Sequence, residues 1–406
     1  MQPTDRLHAL DAVRAFALLC GVILHATLAY LPGVPPFVTS PADDPAKSTG
    51  LAVTFFVIHV FRMTTFFLIA GFFARMMLER RGVGGFVKNR LVRILVPLAL
   101  GWPVTIAFMW GLWALGLSLA FHGAIPSQPT GAPAARPALP FPWTHLWFLY
   151  VLILLYAATL LARGLIVAVD RRGRLRDWIG GLFAALVRSG LIIPALAVPT
   201  AAALYLTPAW TMWFGVPTPD SSLIPQPVSA LVFSMAFGAG WLLHRRIELL
   251  QVISRAGALY LVLAGVLIGL CLALAGPVPS LTPEPDGSRK LAFAMAYAGA
   301  IWSSAFALIG LAVLLLSRPS RAVRYIADAS YWIYLAHLPL VYALQIAVSG
   351  LGWSAPAKFA LVVGVALPVL LLSYELLVRY SFIGAVLNGR RPRAAKARPG
   401  QAAQPA

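Results

Sequence analysis

Apolar residues run along this chain in blocks of about 20 between short polar breaks, and each block is long enough to cross a bilayer as a helix. The pattern predicts ten spans, at roughly 11–31, 52–76, 92–118, 144–169, 189–207, 227–244, 256–276, 292–317, 328–349 and 357–380. The expected fold is therefore all-α, a polytopic membrane helix bundle of about ten transmembrane helices. It forms one domain over 1–387, with both termini on the cytoplasmic side. Residues 388–406 are rich in Pro, Ala and Arg and lack core-forming side chains. They read as a basic, disordered tail lying against anionic lipid. The first block has an acid in its leading region and no convincing small-residue cleavage site, so it reads as a retained helix rather than a signal peptide.

Composition agrees with the pattern. Of 406 residues, 60% are hydrophobic and 11% charged, and the mean hydropathy is +0.82. No soluble domain of this length has such a balance. A net charge of +19 would point to nucleic acid in a soluble protein. Here the positive-inside rule accounts for it: 26 of the 32 Lys and Arg fall on one side of the ten-span topology, which is taken as cytoplasmic. Lys47, Arg62, Arg136, Arg289, Lys290 and Lys358 remain for the other side. The expected partner is thus the lipid bilayer and not nucleic acid. Cys20 and Cys271 both sit in apolar blocks, which indicates neither a disulfide framework nor a thiolate metal site. The outer loops, 32–50, 119–143, 208–226 and 277–290, are rich in Pro, Gly, Ser and Thr. Trp143, Trp147, Trp210, Trp213 and Trp353 cluster at outer helix ends, where an interfacial aromatic belt is expected.

Ionisable groups inside a bilayer are costly and usually functional, so they are the candidates for chemistry. Asp11, Arg14 and His25 share the first span. Arg14 and His25 are eleven residues apart, which places them on one face about 16 Å apart along the axis. His25 can serve as a general base toward a hydroxyl or as a hydrogen-bonded bundle histidine. Arg62, close after His59, lies about ten residues into the second span, at a depth similar to His25. It must pair with an acid, a carbonyl or a substrate anion. Arg90 and Arg93, with Lys88 nearby, form an Arg-x-x-Arg fork suited to phosphates at the inner mouth of the third span. The bland reading of that pair is ordinary inner charge. His145 and Trp147 open the fourth span and suit either a sugar or the belt. Tyr334 and His337 are i,i+3 neighbours on the ninth span. Glu375 and Arg379 most simply pair within the last helix. His-Glu-x-x-His, Gly-x-Ser-x-Gly, Walker and Gly-x-Gly-x-x-Gly motifs are missing, so metalloprotease, serine hydrolase, ATPase and dinucleotide readings lose their support, and no metal is expected.

Taken together, Leu10-Asp11-x-x-Arg14 with His25, Phe66 to Phe73, Arg90-x-x-Arg93 followed by Pro97, His145-Leu146-Trp147-Phe148 and Ser330-Tyr331-x-x-Tyr334-Leu335-x-His337 resemble the acyltransferase 3 family of bacterial integral membrane enzymes. His59-x-Phe61-Arg62-Met63 and Tyr374-Glu375 look most like the branch that succinylates osmoregulated periplasmic glucans. The resemblance implies an O-acyl transfer from cytoplasmic acyl-CoA, as co-substrate rather than bound cofactor and with succinyl-CoA the expected donor, to a glycan hydroxyl on the periplasmic side of the inner membrane. By that analogy His25 takes part in catalysis with Arg62 near it, and Arg14, Lys88, Arg90 and Arg93 hold the CoA. Asp11, His59, His145, Trp147, Tyr334, His337 and Glu375 support the site or the acceptor. Partners beyond acyl-CoA, glycan and lipid are further copies of the chain or other glycan-synthesis proteins. A transporter or flippase for a glycan or small organic anion is the alternative, although the chain has no internal repeat or inverted symmetry of broken helices. A scaffold for glycan synthesis is a third reading.

Overall fold

The computed structural model describes residues 3–121 and 140–389. Arg136 and nearly all of the expected tail, 390–406, lie outside them. The described chain forms twelve α-helices: α1 (Pro3–Thr27), α2 (Thr49–Arg90), α3 (Val96–Ala120), α4 (Trp147–Val169), α5 (Arg174–Arg188), α6 (Ile192–Tyr205), α7 (Pro227–Arg245), α8 (Leu249–Ala275), α9 (Ser288–Leu315), α10 (Arg321–Ser349), α11 (Ala355–Ser373) and α12 (Phe382–Asn388). Among the described residues the one extended pairing is a single bridge, Pro140 to Ser222. The predicted all-helical membrane bundle is what the chain forms.

Among the described residues eight helical stretches are long and apolar enough to cross a membrane, or nine if the bent pair α5–α6 is one span. One of the eight, Thr49–Ala120, is 72 residues long, far beyond the ~20 residues one crossing needs. It turns at Gly82, whose φ of 65° suits a residue without Cβ, and again at a π-helical turn, Leu91–Leu95. The segment expected to be an inner loop, 77–91, is therefore helical on both sides of a kink. The next inner segment, 170–188, contains α5, which meets α6 at 103°.

Buried and exposed faces separate lipid from core. α9 is buried along most of its length, whereas α3, α4 and α8 expose Leu100, Phe108, Leu161, Leu165, Leu259 and Val266, as helices facing hydrocarbon do. α1 lies within the bundle. Helices α2 and α7 cross closely through two glycines: a Cβ on Gly71 would meet the Phe237 carbonyl oxygen at 1.9 Å, and one on Gly240 would meet that of Leu68 at 1.7 Å. At the Arg-rich helix ends, Arg245 pairs with Asp177 (2.5 Å), Arg188 with Glu248 (3.9 Å) and His244 with Glu79 (3.5 Å). These pairs tie α2, α5, α7 and α8 together.

The expected tryptophan belt is not what forms. Trp143, Trp147, Trp210 and Trp213 are buried, and only Trp353 of the five is exposed. Trp147 opens α4, and the loop segments carrying Trp143, Trp210 and Trp213 fold back between the helices. Trp210 donates to the Gly215 carbonyl (2.7 Å), Trp213 stacks on Phe55 (5.6 Å between ring centres), Trp143 on Tyr150 (4.3 Å) and Trp147 on Phe233 (5.5 Å).

Candidate active site

A cavity of about 720 Å³ is enclosed mainly by α1, α2, α4 and α10, within the range of small-molecule sites. Arg14, Arg90 and Arg93 line it toward the Arg-rich end, His25, Arg62 and His337 line its middle, and Thr39 and Asp220 line it toward the opposite end. Arg14 and His25, placed on one face of α1 by their spacing, thus line one continuous space.

At the Arg-rich end the backbone itself makes the fork. Pro97 has no N–H, so it cannot donate to the Arg93 carbonyl four residues earlier. The chain widens there into the π-helical turn. The Tyr331 hydroxyl, reaching over from α10, donates to the freed Arg93 oxygen at 2.5 Å. Arg90 bonds the Tyr156 hydroxyl (3.3 Å) and lies over the Phe86 and Tyr156 rings. Arg14 donates to Asp11 and to the Ala327 carbonyl, each at 3.2 Å. Neither Arg90 nor Arg93 has an acid partner among the described residues, so both guanidiniums retain donors for an anion.

Midway, three imidazoles meet. The His337 ring centre lies 5.1 Å from that of His25 and 5.0 Å from that of His145. His337 Nδ1 is 2.8 Å from the Tyr334 carbonyl oxygen. A carbonyl only accepts, so Nδ1 carries the proton and the neutral ring keeps its lone pair on Nε2. That Nε2 is buried without a partner, and so is His25 Nδ1. His145 is committed differently: its Nε2 donates to the Leu335 carbonyl (3.3 Å) and its Nδ1 faces the Thr144 hydroxyl (3.5 Å). Tyr334 in turn donates to the His145 carbonyl (2.7 Å) and anchors that turn to α10. Among the described residues no group of three or more His, Cys, Asp or Glu can hold a metal ion.

The last turn of α1, which carries His25, is held from outside. Its terminal carbonyls have no helical partners. The buried Gln345 amide donates to the His25 and Ala26 carbonyls, both at 3.0 Å, while Ser40 donates to the Gln345 oxygen (2.8 Å). Arg62 lies across the same helix at Gly21, where a Cβ would meet its Nη1 at 2.5 Å. Gly21 is one turn before His25, so the missing side chain admits a guanidinium beside the imidazole. Arg62 forms no ion pair among the described residues, and its Nε is buried without a partner. The other described cations away from the Arg-rich end are engaged: Lys358 with Asp44 (2.9 Å), Lys290 with Asp286 (2.9 Å), Arg289 with Glu284 (3.1 Å) and Lys47 with the Ala29 carbonyl (3.0 Å).

Of the residues singled out from sequence, Arg14, His25, His59, Arg62, Arg90, Arg93, His145, Trp147, Tyr334 and His337 all line the cavity. Three do not. Lys88 is exposed and off the cavity wall. Asp11 faces Arg14, and Glu375 is taken up by Arg379 at 2.8 Å. Asn388, the expected first tail residue, closes α12 and donates to the Asp328 carbonyl (2.8 Å). Tyr331, Gln345 and Asp220 were not singled out as individual site residues. Tyr331 stood within a recognised motif, and the orphan carbonyl below Pro97 called for some donor. Gln345 and Asp220 carry no local signal.

The profile of the acyltransferase 3 family, described as an acyltransferase domain, matches residues 7–375. Curated relatives are the glucans biosynthesis protein C of Escherichia coli (strain K12) and of Shigella dysenteriae serotype 1 (strain Sd197), each 27% identical over 155 residues. The match covers 38% of this chain, and the chain spans only 38% of the length of those relatives. No solved structure matches.

Proposed function

The chain belongs to the acyltransferase 3 family, and from that premise we propose that it is a bacterial inner-membrane enzyme moving a succinyl group from cytoplasmic acyl-CoA to a hydroxyl of a periplasmic glycan. The observation that carries this reading is the single cavity that joins an unpaired arginine fork to a histidine pair and then continues to the other end of the bundle. The Lys and Arg asymmetry supports the assignment of the fork to the cytoplasmic side. The succinyl and glucan assignments draw on the similarity to glucans biosynthesis protein C.

In this mechanism the CoA phosphates meet Arg90 and Arg93, with Arg14 further along the same wall. Lys88, off the wall, adds only to the attractive field at the approach. The thioester arm reaches the middle of the cavity. A small turn of the His25 ring would let its Nδ1–H donate to the free His337 Nε2, which would satisfy both orphan atoms and leave the lone pair of His25 on Nε2 as the base. His25 takes the proton of the sugar hydroxyl, and the oxygen attacks the thioester carbonyl. The ester C–O bond forms as the C–S bond breaks, and the departing CoA sulfur takes the proton back from His25. Arg62, a cation with no acid partner, serves the free carboxylate of the succinyl group.

The test is release of CoA thiol by the purified protein, in detergent, from succinyl-CoA with a glucan acceptor. The wild type releases CoA in step with glucan ester. His25→Ala falls to background, and His337→Ala slows release by roughly 10²-fold, as loss of a group orienting a general base does. Uptake of glucan or succinate into proteoliposomes without any CoA release would instead identify a transporter.

A further inference from the structure

The charges along the cavity are unequal in sign. Two acids line it: Asp328 lies at the end that carries Arg14, Arg90 and Arg93, whereas Asp220 lies toward the opposite end, where no Lys or Arg lines the wall. Asp220 forms no ion pair among the described residues. Its partners are hydroxyls: Thr218 donates to it at 3.2 Å, and Ser221 also bonds it. The carboxylate is exposed on the cavity wall, and desolvation by the protein around the cavity raises its pKa. Facing the cavity with no cation beside it, the carboxylate keeps acceptor lone pairs free for a ligand.

The loop bearing Asp220 is fixed in place. Phe141 N–H donates to the Ser221 carbonyl (3.0 Å), and the Tyr150 hydroxyl donates to the Leu223 carbonyl (2.7 Å). Across the opening, the Tyr342 hydroxyl is spent on the Thr39 carbonyl (2.9 Å), so it offers no proton to Asp220. Tyr342 is five residues beyond His337 on α10, which puts this end of the cavity about 7.5 Å along the axis from the proposed base. Trp113 also lines the cavity and adds an aromatic face.

We propose that Asp220, with Thr218 and Trp113, forms the acceptor subsite, which takes a neutral polyhydroxylated glycan and excludes anionic acceptors. An ionised carboxylate only accepts hydrogen bonds, and neighbouring hydroxyls of a sugar are donors that match it. The same charge disfavours a glycan already carrying a carboxylate. This inference rests on the transfer reading for its meaning. In that reading, a product bearing a succinyl carboxylate is repelled from the mouth it leaves by, so each acceptor is modified sparingly.

The test is equilibrium binding without any acyl donor, by tryptophan fluorescence of the full chain in nanodiscs. The probes are a neutral β-linked gluco-oligosaccharide and the same oligosaccharide oxidised to carry carboxylates. The wild type binds the neutral probe and not the oxidised one. Asp220→Ala weakens neutral binding by about tenfold or more, as loss of charge-assisted bonds does. Asp220→Asn binds both probes with similar affinity, an effect that a merely structural role would not produce. Asp43→Ala removes the same charge from an exposed loop residue off the cavity and leaves both affinities unchanged. The subsite is overturned if the wild type binds neither probe or both alike, or if Asp220→Asn keeps the wild-type preference. Asp220-dependent glucan binding without CoA release would refute the transfer reading while leaving the subsite standing.

Discussion

An arginine in mid-bundle without an acid needs a reason, because a cation left unpaired away from water is among the most expensive arrangements a protein can hold. Arg62 is in that position, admitted by Gly21 and lining the same cavity as the histidine pair. If it reads a substrate carboxylate, Arg62→Ala lowers kcat/KM for succinyl-CoA by roughly 100-fold and for acetyl-CoA by less than about fivefold, in line with the loss of one charge-assisted contact. Equal losses for both donors would make it a general stabiliser of the reacting oxygen instead. The depth of Arg62 and of His25 was legible from helix counting. That the His25 and His337 rings come together, each with a buried unpartnered nitrogen, was not, because residues 312 positions apart meet only through the packing of α1 on α10. Gln345 and Asp220 were hidden for the same reason: each is an ordinary residue in an ordinary local context, and its role comes from what another element leaves unsatisfied.

Helices come together here through small residues and through one buried ion pair. Asp44 and Lys358 are both almost fully buried, with Lys358 Nζ 2.9 Å from both carboxylate oxygens and from the Ser349 carbonyl. The pair pins the loop after α1 to α11, and so steadies the end of the cavity near Thr39. Lys358→Met leaves the carboxylate buried and unpaired and should destabilise by about 3–5 kcal/mol, while adding Asp44→Leu should recover most of that loss. Thermal unfolding in detergent checks both. If the single variant unfolds like the wild type, the pair does not hold the loop. At this scale the apolar blocks predicted the elements well, since length and hydropathy alone define a span. They missed the helical course of 77–91 and the kink at Gly82, because a glycine in a polar stretch reads equally as a loop. They also set the tryptophans in a lipid belt. The stacking partners Phe55, Tyr150 and Phe233 that draw three of them inward lie on different elements.

For the whole molecule, the account depends on one cavity serving two substrates that arrive from opposite faces. The charge asymmetry of the sequence anticipated two faces, and the bundle supplies the passage between the fork at Arg90 and Arg93 and the mouth at Asp220. Continuity of that passage could not be read from the sequence, since it depends on α1 lying inside the bundle and not at its edge. The most direct test uses proteoliposomes with glucan sealed inside and radiolabelled succinyl-CoA added outside. The account predicts labelled glucan ester in the lumen, CoA released outside, and neither product with His25→Ala. Label reaching glucan only when both substrates share one compartment would contradict it.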